Sequence, residues 1–201
     1  MEKTATSVNV LKSNLADVKD NAVLVGFFKG KLNLSSELKK LDNESNGTIS
    51  SYMKDVSFKA EKGETRIVYL NKKIKHIVLV GLGEESKFNL EVLSSAMADL
   101  SRKLRDSSFE SFSILLSSFR GNFSEEEAVE KIVQSILLGT YKFTEYKTKD
   151  KDSLKHLKQV TIISGSNKNF DVQLKYSYAV AEAVKKTREL VNTPPNIATP
   201  E

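Results

Sequence analysis

Cysteine is absent from all 201 residues. That excludes disulfides, thiolate metal sites and a cysteine nucleophile together. A chain this long does not need such staples, because it can bury roughly 70% of the surface its unfolded form exposes. The composition suits a reducing compartment. Histidine is nearly absent too. His76 and His156 are far apart, and neither belongs to an HExxH or other ligand-spaced cluster. His76 opens an apolar run and His156 sits in a basic polar stretch, so both are expected to be structural or solvated. No GxSxG elbow is present, and Ser164-Gly165-Ser166 lacks its flanking pattern. Long hydrophobic runs are missing as well. AVLVGFF, residues 22–28, is strand-sized and far short of the ~20 residues a spanning helix needs. The first residues, MEKTATSVNVLKSN, hold no apolar stretch that reads as a secretory signal, which makes the cytoplasm the expected compartment and a membrane an unexpected partner.

What is present is ordinary for a globular domain: 39% hydrophobic and 28% charged residues. Lys and Arg outnumber Asp and Glu by 31 to 26, a formal charge of +5. The densest basic stretch, YKFTEYKTKDKDSLKHLK at 141–158, interleaves six lysines with Glu145, Asp150 and Asp152. Mixed signs read as a solvated loop rather than a phosphate track.

Short apolar runs alternate with longer helical patterns. Residues 8–11 and 22–28 read as strands. Residues 32–56 read as one or two short helices broken at Asn46-Gly47. Residues 56–70 read as a hairpin turning near 61–64, with Gly63 available for a positive φ. HIVLVGLG, 76–83, reads as a strand buried on both faces. A helix over 89–105 repeats Leu93, Ala96, Met97, Leu100 and Leu104 at helical spacing, and 111–116 is a further strand. Ser124 and Glu127 form a capping box. It opens a helix carrying Ala128, Val129, Ile132, Val133, Ile136 and Leu137. Residues 159–164 read as a strand. A last helix, 172–191, is expected to bury Tyr176, Ala179, Val180, Ala183, Val184 and Leu190. The order predicts an α/β fold with a mixed, mostly parallel sheet flanked by helices, the 56–70 hairpin supplying the antiparallel pair.

Gly81-Leu82-Gly83 follows a strand and precedes a helix, as a phosphate-binding turn would. Ser86 stands where a third glycine is wanted, and Glu84 and Glu85 put negative charge where a phosphate would sit. A tight turn is the simpler reading. Glu125 to Glu127 suit the positive end of a helix rather than a metal.

The C-terminal stretch is more specific. Arg188, Leu190, Val191, Asn192, Pro194, Pro195, Asn196, Thr199 and Pro200, after Ala179 and Ala183, resemble the segment joining the two domains of the leucyl (cytosol) aminopeptidases, the M17 metallopeptidases. IVLVGLGE at 77–84 is similar to that family's V-L-V-G-L-G strand end. FKAEKGE at 58–64 is similar to its F-x-G-K-x-G-E hairpin, with Ala60 in place of the usual glycine. Gly139-x-Tyr141-x-Phe143 resembles its G-x-Y-x-F segment. The physics of the tail agrees, since each Pro pushes the residue before it out of the helical region and the pair makes a stiff extended link.

The resemblance implies a macro-domain-like N-terminal domain at residues 1–191, with the start of a Pro-rich linker at 192–201 leading to a C-terminal catalytic domain. In the family that domain holds two divalent ions, Zn or Mn, on a lysine and several acids, one in an N-T-D-A-E-G-R-like signature. No such signature occurs here, so no catalytic, cofactor-binding or metal-binding residue is assigned. The full-length enzyme is expected to remove N-terminal residues from peptides, as a hexamer. The present chain is expected to be inactive, to bind no metal, and to serve packing, assembly and access to the active site. The alternative is a nucleotide- or DNA-binding module, with nucleic acid the less expected partner.

Overall fold

The computed structural model describes residues 6–18, 20–107, 109–143, 156–194 and 196–197. Six strands form one sheet: β1 (Ser7–Lys12), β2 (Ala22–Phe27), β3 (Thr65–Tyr69), β4 (His76–Gly81), β5 (Ser111–Leu115) and β6 (Gln159–Ser164). Their spatial order is β1-β6-β5-β2-β4-β3. Every neighbouring pair is parallel except β3 and β4. Five α-helices among the described residues cover it: α1 (Ser36–Glu44), α2 (Thr48–Asp55), α3 (Leu90–Asp106), α4 (Glu125–Gly139) and α5 (Asp171–Asn192).

The period-2 alternation of the strands divides the core between two layers. Val78 and Val80 of β4 point into the layer built by α3, α4 and α5. Ile77 and Leu79 point into the layer of α1, α2 and the 3-10 turn at Leu15–Asp17. A strand that feeds two cores must be apolar throughout, which is why HIVLVG lacks alternation.

Helix ends follow local chemistry. The Asn89 side chain accepts from the Val92 N–H at the start of α3. At α4 the Ser124 Oγ accepts from the Glu127 N–H, and the Glu127 carboxylate takes the Ser124 N–H back. Between α1 and α2 the chain turns through Asn46 and Gly47, both left-handed at φ 55° and 72°. The buried Asp42 then accepts from the N–H groups of Ile49 and Ser50 and caps α2 from the preceding helix.

The structure departs from the sequence-based expectation in three places. The antiparallel pair is not a hairpin within 56–70. Val56 ends α2, residues 57–64 are irregular, and β3 pairs with β4 instead. Ser57 and Ala60 adopt left-handed φ angles of 49° and 55°, which cannot continue a strand. The second departure is α5: of the residues expected inward, Tyr176, Ala179, Ala183 and Leu190 are exposed and Val180 and Val184 half-buried, and only Ser177 and Ala181 of the helix are buried. The third is the tail. Thr193 is extended as the following proline demands (φ −76°, ψ 129°), and the Ile197 N–H donates to the Pro194 carbonyl rather than standing free as in a fully extended link; residues 195 and 198–201 lie outside the described residues. The lysine-rich expectation for 141–158 falls largely on residues 144–155, outside the described residues.

Candidate functional site

The glycine turn at the end of β4 has the position of a phosphate-binding turn, between a strand and a helix. A phosphate cradle needs free backbone N–H groups. Here Gly81 donates to the Glu64 carbonyl, Leu82 to Phe27 and Gly83 to Ala60. The glycines serve close packing of two backbones. A Cβ on Gly81 would sit 2.1 Å from the Glu61 carbonyl oxygen and 2.7 Å from the Ala60 carbonyl carbon. The family glycine replaced by Ala60 would occupy a left-handed position, so the 57–64 loop and the strand end form one interlocked unit. Glu84 pairs with Lys87, whose hydrogen bond and charge hold its carboxyl below the usual range, and Glu85 pairs with Lys31. Lys29 is raised above the ordinary lysine value by its bond to Glu61.

The second place is the crevice at the C-terminal ends of the parallel strands, where open α/β sheets commonly hold ligands. The chain fills it with its own groups. Ser118 Oγ accepts from the Gly26 N–H at 2.9 Å and donates to the Leu115 carbonyl at 2.7 Å. The Ser118 carbonyl lies 2.6 Å from where a Gly26 Cβ would stand, and Phe119 is fully buried beside it. Phe28, Phe88 and Phe123 stack around the rim at 5.0 and 5.9 Å.

The histidines fall where the sequence placed them. His76 is held edge-on between Tyr69 and Phe109 at 5.0 and 5.2 Å, and His156 is exposed. Among the described residues no three His, Asp or Glu side chains converge as metal ligands would. Several carboxylates near the sheet ends are drawn apart by partners of opposite charge, Glu61 to Lys29, Glu64 to Arg66 and Glu126 to Lys168. A two-metal centre does not fit the described residues.

What stands out is α5. On its inner side Leu174, Ser177, Tyr178 and Ala181 face the domain. Ser177 Oγ donates to the Glu130 carbonyl of α4 at 3.2 Å, and the Tyr178 hydroxyl accepts from the Val8 N–H at 2.6 Å, tying the edge strand β1. Arg188 reaches the Leu138 carbonyl at the end of α4 and lies over the Tyr141 ring. Burial pushes Lys185 below the ordinary lysine range, against the pull of Glu182 and Glu189. On the opposite side Val172, Tyr176, Ala179, Ala183 and Leu190 recur at steps of four, three, four and seven residues, one continuous stripe. Val172 is 74% exposed, Tyr176 55% and Leu190 62%. A helix apolar on two opposite sides has two partners to satisfy. Four of the six residues that the sequence predicts as core here, Tyr176, Ala179, Ala183 and Leu190, lie on this outer stripe. The second stripe, Leu174, Tyr178 and Ala181, was the signal that a choice existed.

The described residues thus form an α/β domain with a mixed sheet, a strand-end crevice filled by its own groups, and a long helix, α5, with an exposed apolar stripe. The chain belongs to the cytosol aminopeptidase family: residues 24–150 match that family's N-terminal domain. It is 31% identical over 194 residues to a probable cytosol aminopeptidase of Sulfurihydrogenibium sp., covering 94% of this chain and 38% of that protein. A probable cytosol aminopeptidase of Aquifex aeolicus is 29% identical over 198 residues, 96% of this chain and 38% of the relative. Among solved structures, a tomato leucine aminopeptidase mutant superposes with a TM-score of 0.81 at 21% identity, over all of this chain and 41% of its own. The bottromycin maturation enzyme BotP in complex with Mn gives 0.67 at 18% identity, over 90% of this chain and 34% of its own. The chain spans about two fifths of the length of the curated relatives it matches. No described helix is long and apolar enough to cross a membrane.

Proposed function

We propose that this chain acts as the non-catalytic, macro-like N-terminal domain (residues 1–191) of a metal-dependent leucyl-type aminopeptidase. The full-length protein removes N-terminal residues from peptides in the cytoplasm, as a hexamer. Two divalent ions, zinc or manganese, sit in a C-terminal domain reached through the 192–201 linker. There a metal-activated water attacks the peptide carbonyl. No residue of this chain is catalytic or a metal ligand. Its role is packing, assembly and access to the active site, and the outer stripe of α5 is the surface on which the C-terminal domain rests. The observation that carries this reading is the pairing of an N-terminal-domain match with that bare apolar stripe on the helix leading out of the domain. A nucleotide-binding reading lacks support at Gly81-Leu82-Gly83, where all three amides are already bonded. The test is hydrolysis of a leucyl chromogenic substrate with added Mn or Zn, by this chain and by the chain extended through the next domain. Activity in the extended protein alone is the expected result. Metal-dependent turnover by this chain alone would overturn it.

A further inference from the structure

Helices α3, α4 and α5 lie side by side over the sheet, and a pocket of about 280 Å³ opens to solvent where they meet near the end of α4. That is just under the range of small-molecule sites, about 300–1,000 Å³, and ample for a phosphate group with a small body attached. Each helix sends a cation to it: Arg102 from α3, Lys131 from α4 and Arg188 from α5. The rest of its lining among the described residues is neutral, with no carboxylate.

The walls are fixed by close packing. Gly139 lets α4 approach α3 so closely that a Cβ there would lie 2.8 Å from the Ser101 Oγ. In the floor, the Ser135 Oγ lies 2.6 Å from the Lys131 carbonyl and 2.8 Å from the Ser94 Oγ. Its single proton serves only one of them; with that proton on the carbonyl, the Ser94 hydroxyl is left as a donor that can turn to a ligand.

The cations have charge and donors to give. The Lys131 ammonium makes no ion pair or hydrogen bond with any described residue, and Glu130 beside it accepts instead from Gln134. Arg102 gives one nitrogen to Asp99 and Arg188 gives one to the Leu138 carbonyl, and each guanidinium fork has further N–H groups free. This set selects an oxyanion. A carboxylate offers a coplanar pair of oxygens and a single charge. A phosphate monoester offers more oxygens, splayed apart, and about two charges, enough to meet a cation from every helix. A nucleic-acid strand would have to continue past Glu91 and Glu127, which stand one turn before Ser94 and Lys131 on the same helix faces.

We propose that this pocket binds the phosphate group of a small phosphorylated metabolite, held by Arg102, Lys131 and Arg188 with the Ser94 hydroxyl at its floor. The bound anion ties α5 to α3 and α4. The proposal rests on the pocket alone and stands whether or not the full-length protein is a peptidase.

The test is a titration of this chain with ribose 5-phosphate to about 10 mM at constant ionic strength, read by amide NMR shifts. Ribose, succinate and a short single-stranded oligonucleotide are the comparison ligands. Saturable shifts centred on residues 94–102, 131–139 and 188 are expected for ribose 5-phosphate, with no response there to ribose and at least about tenfold weaker binding of succinate. Lys131→Gln and, separately, Arg102→Gln change solvent-facing groups and should keep a native spectrum while weakening ribose 5-phosphate at least about fivefold each. Lys72→Gln, which removes the same charge from the β3–β4 turn, should leave binding unchanged. Any of four results would overturn the proposal: no saturable shift, an equal response to succinate, an equal loss from Lys72→Gln, or tighter binding of the oligonucleotide with shifts running beyond the pocket.

Discussion

Helices α4 and α5 carry the same kind of sequence pattern and meet different fates. In α4, Ala128, Val129, Ile132, Val133, Ile136 and Leu137 are all buried, because α3 lies on one side, α5 on the other and the sheet beneath. Its start is fixed by a capping box, and Gly139 lets its end approach α3 so closely that a Cβ there would lie 2.9 Å from the Ala98 Cα. In α5, the longer of the two at 22 residues against 15, only two residues are buried, and its start has no capping box, only the Asn169 side chain accepting from the Asp171 N–H. Apolar periodicity therefore reports that a face is to be covered. It does not report whether the cover lies within the same domain. In α4 the covering elements are all present. In α5 one stripe is satisfied by α4 and β1, and the other faces outward.

If α4 is the part that holds the domain together, Ile132→Ala should be the most damaging change, with a loss of about 2–5 kcal/mol in a denaturation midpoint analysis. A loss under about 1 kcal/mol would mean that the α3–α4–α5 layer is looser than its packing indicates. Ser124→Ala should come next, at about 1 kcal/mol, because it unmakes the capping box that starts α4. Its effect should also depend on pH. The Ser124 hydroxyl and N–H hold the Glu127 carboxyl below its ordinary value in the folded chain. A depressed folded pKa stabilises above the unfolded pKa, and that contribution disappears as pH falls through the folded value. Wild type and Ser124→Ala should therefore converge in acid, and a gap that widened there would refute the assignment. Tyr176→Ser on the outer stripe of α5 should do least, within about 0.5 kcal/mol in this chain. A loss as large as that of Ile132→Ala would make the stripe part of this domain's core and erase the contrast.

Much of the fold could be read from sequence, for reasons that differ by element. The central strands were clear because β4 is apolar at every position, and α3 and α4 because their partners come from the same chain segment. The break at Asn46-Gly47 was visible because few residue types tolerate left-handed backbone. The 57–64 loop was not visible, since Ser57 and Ala60 are unusual residues for a positive φ. The pairing of β3 with β4 is hidden for a related reason: Gly63 reads as a hairpin turn, yet the Glu64 and Ala60 carbonyls near it accept the amides of Gly81 and Gly83.

The central claim is that the outer stripe of α5 is a contact surface for the rest of a longer protein. The absence of cysteine makes a direct test simple, since one introduced thiol is the only thiol from this domain. Tyr176→Cys and, separately, Leu190→Cys would be labelled with a thiol reagent in this chain and in the protein extended through the proposed C-terminal domain. The account predicts rapid labelling in this chain and at least about tenfold slower labelling in the extended protein, as expected when docking must open before reaction. Equal rates in the two proteins would contradict it.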